Sequence, residues 1–429
     1  MNTKLRNDFP LLFRVLDISV IFFVFALVNT NAFVRFRQFP EVDNYSDNED
    51  SFVFAAVFTL LLILLLSWRN HLFPAYVAAW KKNKILLAFL VYACASLWWT
   101  IYLPATQYKL IFLFFSTLAG SYLAVRYGKH GGIRILTWVG ASLTVLSVLV
   151  VAYFPFVGMM HNQYFLGSWI GVFWHRNHTG NIFAFLNMVF LMRLLFDEQS
   201  TRRKRVIFGL LYLISAMIVV GSRSATGLIV FLFLHFVVGL VFAWLKLNEQ
   251  IKPWHYYGSA GALLAGFLVF ITNTAFFFGL LGRTANMTGR VPVWQDLFQS
   301  FYLQKPWFGY GYGALWMQKA FRIQMQIRHH WGNQVYFADN GFFDILLNLG
   351  LIGFLLFLAV YISMGIRSFK QAIQTKSWLA FFPFMTFLYI LIGNLTYSFL
   401  LEVDQLVWML LVMMVFLTTA PNNDSIPQP

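Results

Sequence analysis

The sequence predicts an all-α integral membrane protein, and three observations predict it. Mean hydropathy is +0.67. Only 11% of the 429 residues are charged, against 59% hydrophobic. The apolar residues fall in separate runs long enough to cross a bilayer, which is outside the usual composition of a soluble domain. A spanning helix needs about 20 mostly apolar residues, and by that measure about twelve are predicted. They centre on 15–33, 51–67, 84–103, 109–126, 134–153, 179–196, 205–221, 224–245, 257–277, 341–364, 378–398 and 404–419. The pair around Arg223 also reads as one bent hairpin.

The first run has a basic start but is long and lacks a small-x-small cleavage site, so it is read as a first spanning helix rather than a signal peptide. Cys94 is the one cysteine, which leaves no intramolecular disulfide. The net charge of +15 would suggest a nucleic-acid partner in a soluble protein. Here the cations lie in short loops between apolar runs, where they orient helices, so the lipid bilayer is the expected partner and nucleic acid is not.

Lys and Arg are enriched in short cytoplasmic loops. One alternate set of loops carries Lys4 and Arg6; Arg69, Lys81 and Lys82; Arg126, Lys129 and Arg134; Arg202 to Arg205; Lys246 and Lys252; and Arg367, Lys370 and Lys376. The opposite set holds the acidic residues near Asp47, the GSRS turn at 221–224 and a long loop. Even helix number then puts both termini in the cytoplasm. The expected organisation is residues 1–276 as helices 1–9, residues 277–340 as a long extracytoplasmic loop between helices 9 and 10, residues 341–420 as helices 10–12, and residues 421–429 as a cytoplasmic tail.

The long loop is the expected active-site region, because irregular backbone at the edge of the hydrocarbon layer survives only where it is buried in protein or lines a wet cavity. Within it VPVWQDLFQSFYL and ALWMQKAFRIQMQI carry apolar residues at helical spacing, as interfacial helices do. KPWFGYGYG between them reads as a turn. Trp294, Trp307, Trp316 and Trp331 are expected at headgroup level.

Outward ionisable groups are few: Arg223 in GSRSATG, Arg283 and Arg290 around NMTG, Asp339 before Asn340, and His175, Arg176 and His178 in WHRNHTG. A cation at or inside the membrane is costly unless paired or touching an anion, so each is a functional candidate. The plain alternative is an arginine snorkelling to headgroups. Two arginines from separate segments on one face suggest a diphosphate, since a guanidinium makes paired hydrogen bonds to phosphate oxygens. Asp339 is either a helix N-cap or the general base for a hydroxyl nucleophile, and the two roles are compatible. The WHRNHTG histidines lack a third ligand, so they and Asn177 read as polar lining of a substrate cavity rather than a zinc site. Gly311 and Gly313 around Tyr310 permit either a tight turn or close approach of a sugar or phosphate. The long loop has no close carboxylate pair, which predicts chemistry without a metal or other cofactor.

Taken in order, SRSATG, GR followed by VPVW, KPWFGYGYG and DNGFFDILLNLGLIG resemble the bacterial O-antigen ligase and polymerase superfamily, which includes exopolysaccharide polymerases and protein O-oligosaccharyltransferases. The likeness covers Gly221 to Phe357, and WHRNHTG resembles a His-x-Asn element of many members. It implies a GT-C-like glycosyltransferase of the bacterial inner membrane, its site facing the periplasm or cell exterior. Such enzymes take a glycan from an undecaprenyl-diphosphate carrier and pass it to a hydroxyl of a glycan or lipid-glycan acceptor, with inversion and without metal. Arg223 and Arg290 match the family arginines thought to hold the donor diphosphate, with Arg283, His175, Arg176, Asn177, His178, Tyr310 and Asn340 as further substrate-binding candidates. Asp339 stands where many members, including typical lipopolysaccharide ligases, have a histidine assigned to activating the acceptor. A carboxylate is a weaker base than an imidazole. The missing histidine favours chain polymerisation over ligation. Two other classes remain: a transporter or flippase of lipid-linked saccharides, and a structural envelope partner that would tolerate loss of Arg223 and Arg290.

Overall fold

The computed structural model of the protein describes residues 46–69, 71–161, 165–246, 290–329, 337–400 and 406–419, with a few isolated positions besides. These residues form helices and turns, with one isolated antiparallel bridge between Met159 and Trp169. The main helices are α1 (Ser46–Arg69), α2 (Phe73–Lys82), α3 (Lys84–Ala95), α4 (Leu103–Tyr153), α5 (Arg176–Phe196), α6 (Arg202–Gly221), α7 (Ala225–Lys246), α8 (Arg290–Asp296), α9 (Lys319–Arg328), α10 (Gly341–Thr375), α11 (Trp378–Thr396) and α12 (Leu406–Thr419).

Among the described residues, 6 helices are long and apolar enough to cross a membrane, or 7 if α1 and α2, bent by 108°, form one broken span. The all-helical, multi-pass architecture therefore holds at this coarser level. The α3 segment and α12 are apolar but shorter than a span. The expected spans 15–33 and 257–277, Arg283, Trp331 and the 277–289 part of the loop lie outside the described residues.

Two glycines divide long helices. Gly128 has φ 61° and ψ −168°, and Gly350 has φ 64° and ψ −171°, a region of backbone space open essentially to glycine alone. The first falls between the expected spans 109–126 and 134–153, which run together as α4. The second breaks α10 where a single continuous helix was expected from 341. A side chain at Gly350 would collide with the backbone of Trp307 and Phe308. The backbone groups freed by the break are taken up by the KPWFGYGYG segment: Leu351 N–H donates to Pro306 C=O at 2.7 Å, and Gly311 N–H to Asn348 C=O at 2.8 Å. The long loop is thereby stitched into the helix that follows it.

Helix α5 lies at the centre, packed on α6 and α7 and touching α4 and α11. It is buried on nearly all sides, as expected of a helix with apolar residues all round. Near its start Gly180 meets Gly227 of α7 so closely that a β-carbon on either would strike the other's backbone or neighbouring serines. Small residues allow this approach, as they do generally between membrane helices, and it brings the 175–180 segment against the turn that carries Arg223.

Candidate active site

The Arg223 turn joins α6 to α7 and is fixed from both sides. Ser224 Oγ accepts from Gly227 N–H at 3.1 Å as an N-cap does and donates to Asn177 Oδ1 at 3.0 Å. Arg223 has φ 50°, a left-handed backbone uncommon for a residue with a side chain. Its carbonyl accepts from Arg176 Nη1 at 2.6 Å, and the Arg176 guanidinium lies 3.8 Å from the Phe165 ring centre. The Arg223 side chain is exposed, with Nη1 donating to Leu166 C=O at 3.2 Å. The backbone is thus locked while the cation stays accessible.

WHRNHTG faces inward. Arg176, Asn177 and His178 are buried, and His175 Nδ1 accepts from Asn177 N–H at 3.2 Å to cap α5. His178 stacks on Phe173 at 5.0 Å. Arg176 and Asn177 thus bond to the turn that carries Arg223 from behind.

The second half of the site is built by α8 and the start of α10. Arg290, the first residue of α8, donates from Nε to Asp339 Oδ2 at 2.8 Å. Both side chains are mostly but not wholly buried, at 14% and 23% exposure. This bond uses one of the five donors of a guanidinium, and the terminal nitrogens bond to no other described residue. Asp339 itself has φ 55°. The expected cap role belongs to Asn340 rather than Asp339: the Asn340 Oδ1 accepts from Phe342 and Phe343 N–H, each at 3.1 Å. Asp339 points to the arginine instead.

Aromatic rings connect the halves. Tyr397 stacks on His175 at 6.3 Å and meets His178 edge-on. It also contacts Phe337 at 5.1 Å, and its carbonyl accepts from Gly341 N–H at 3.2 Å. Phe337 in turn meets Trp174. The α5 start, behind Arg223, and the Asp339–Asn340 corner therefore share one packed wall. No hydrogen bond or ion pair joins Arg223 to Arg290 among the described residues.

Asp344 was not singled out from the sequence, where it reads as one polar residue in an apolar helix. It is 1% exposed, and three elements converge on its carboxylate. Trp316 Nε1 donates to Oδ1 at 2.6 Å, Ala338 N–H donates to both oxygens at 3.2 Å, and Ser398 Oγ makes a short bond to Oδ2. Trp316 is itself buried, and this acceptor satisfies its indole N–H. The signal available in the sequence was an acid in the first turn of an otherwise apolar helix, which must be paired if buried. Asp344→Ala strands these donors at about 1–3 kcal/mol each. It is expected to lower the thermal midpoint of the detergent-solubilised protein markedly, with Asp344→Asn losing less.

Tyr310, expected to contact substrate, is buried, and its hydroxyl donates to Phe301 C=O at 2.9 Å. Side chains at Gly311 and Gly313 would collide with Thr100 and Lys109. The Gly-Tyr-Gly-Tyr-Gly run thus packs on the protein itself. Earlier in the loop Asp296 binds Ser300 at 2.6 Å, Arg328 at 2.8 Å and His329 at 3.0 Å, clipping α8 to α9. Burial works to raise the Asp296 pKa, but hydrogen bonds from Ser300 and His329 and the neighbouring positive charges outweigh it and set it below the ordinary carboxylate value. A depressed pKa means the clip is complete above about pH 4 and is lost as pH falls through the folded value. Protease resistance of segment 290–329 is therefore expected to decline in acid, and Asp296→Asn to be cleaved faster already at neutral pH.

These features define a class: a multi-pass membrane protein with cationic and acidic groups gathered at helix ends beside an irregular loop. Residues 208–358 match the family model of O-antigen ligase, so this part of the chain carries an O-antigen ligase domain, the domain of a family of glycosyltransferase enzymes, and its presence implies lipid-linked glycan transfer. The match begins in α6 and ends in α10, and takes in Arg223, Arg290, Asp339 and Asp344. No curated protein matches the chain.

Proposed function

We propose that this protein transfers a glycan from undecaprenyl diphosphate to an acceptor hydroxyl on the outer face of the bacterial inner membrane, without metal and with inversion. The observation that carries the reading is the Arg290–Asp339 pair, which holds a guanidinium with its terminal nitrogens uncommitted beside a carboxylate with one uncommitted oxygen. In the proposed step the acceptor oxygen attacks the anomeric carbon while the bond from that carbon to the phosphate oxygen breaks. The hydroxyl proton passes to Asp339 Oδ1, and undecaprenyl diphosphate leaves with the bonding electrons. Arg223 and Arg290 stabilise its growing charge, the role that fixed donors in a water-poor site perform best. Inversion follows from a single displacement, since retention ordinarily requires a second, nucleophilic carboxylate. The GT-C-like arrangement of about twelve helices with cytoplasmic termini belongs to this proposal. So does the preference for a growing chain as acceptor, because an aspartate replaces the histidine of typical ligases.

The test is reconstitution of the purified protein in liposomes with undecaprenyl-diphosphate glycan and candidate acceptors. Released undecaprenyl diphosphate is expected in step with elongated product, undiminished by a chelator. Passage of intact lipid-linked glycan across the bilayer, with no cleavage, would replace this reading by transport.

A further inference from the structure

Beside the Arg290–Asp339 pair lies a groove of about 370 Å³, within the range of about 300–1,000 Å³ typical of small-molecule sites. One wall is a single face of α8 and the turn after it, where Trp294, Gln295, Phe298 and Gln299 recur at helical spacing. Asn340 and Phe343, at the start of α10, form the other wall. We infer that this groove is a subsite for an uncharged sugar of the acceptor glycan.

The lining chemistry carries the inference. Its aromatic rings offer flat faces with negative quadrupoles, which suit the weakly positive C–H edges of a pyranose. Its glutamines each supply a donor pair and an acceptor, and Asn340 a donor pair, matching hydroxyls that both donate and accept. None of the lining residues is charged, so the groove does not suit the diphosphate, which the arginines next door do. The polar groups are also available. Gln295 and Gln299 bond to no described residue, and Asn340 commits only its Oδ1, to the helix cap, leaving its NH₂ group free.

Position supplies the second argument. The Trp294 indole is held by a 2.6 Å bond from Nε1 to Ala338 C=O, one residue before Asp339, and Asn340 follows directly after. The stacking surface and the carboxylate therefore belong to one rigid corner, and a sugar in the groove lies against Val291 and Asn340, the chain neighbours of Arg290 and Asp339. The term acceptor rests on the transfer reading above; the affinity for neutral carbohydrate rests on the lining alone.

The probe is the glycan freed by mild acid from the lipid-linked pool of cells that make the protein, titrated onto the full-length protein in nanodiscs and followed by saturation-transfer NMR. Wild type is expected to bind it, and Phe298→Ala and Gln299→Ala each to weaken binding about ten-fold, equivalent to about 1.4 kcal/mol. Phe298→Tyr should restore it. Phe298 is 43% exposed, so its truncation does not threaten the fold, and undecaprenyl diphosphate binding, measured in parallel, reports that the arginine site is intact. Absence of glycan binding by wild type, or equal binding by the variants, would overturn the inference. Binding that depends on Phe298 and Gln299 in a protein that releases no undecaprenyl diphosphate would retain the groove and sink the transferase reading instead.

Discussion

Asp339→Asn is expected to lower kcat for glycan transfer by about 10²–10⁴, the usual contribution of a positioned general base. The substitution is a fine probe because little else changes. Asparagine still offers an oxygen to Arg290 Nε, it tolerates the left-handed backbone at φ 55°, and the cap of α10 belongs to Asn340 rather than to this position. The loss should therefore fall on kcat, with the donor KM close to wild type. Full turnover in the variant would reduce Asp339 to a holder of Arg290 and leave the acceptor without a base on this side of the site.

Arg290→Ala and Arg223→Ala are each expected to cost about 10²–10³ in kcat/KM, as removal of one donor to a developing oxyanion does elsewhere. Lysine should rescue neither, since a point charge on a flexible stem cannot make the paired bonds of a guanidinium. The Arg223 result is the cleaner of the two. Its turn is fixed through backbone and serine bonds, including the 2.6 Å bond from Arg176 to its carbonyl, so truncating the side chain leaves the turn held. Arg290→Ala also strips Asp339 of its partner, and Arg290→Ala combined with Asp339→Asn separates that effect. The double variant of the two arginines carries further information: groups that clasp one ligand couple by about 0.5–3 kcal/mol, whereas independent sites add. Strict additivity would mean that the arginines do not share a diphosphate, and wild-type rates in both single variants would favour a structural role for the chain.

Along the chain, hydropathy alone carried the membrane class, since a long apolar run with almost no charge has few other stable environments. The same economy marked Arg223, Arg290 and Asp339, because ions are scarce in such a sequence and each must be accounted for. Where helices stop was less legible. The break at Gly350 is dictated by the Trp307–Phe308 backbone packing against it, a contact no local pattern encodes. Nor does the linear pattern show that Arg176 and Asn177 of WHRNHTG bond to the turn that carries Arg223, or that Tyr310 bonds back to Phe301 within the loop.

The sequence by itself determined that this is a multi-pass membrane protein with few charged residues outside its short basic loops, because those properties follow from local composition. Only the tertiary structure decided that Arg290 meets Asp339, that Asn340 and not Asp339 caps α10, and that Asp344 ties three elements beneath them. Charge pairing and burial depend on which segments pack together across many residues of chain. That is a property of packing, to which a linear reading of hydropathy and propensity is blind.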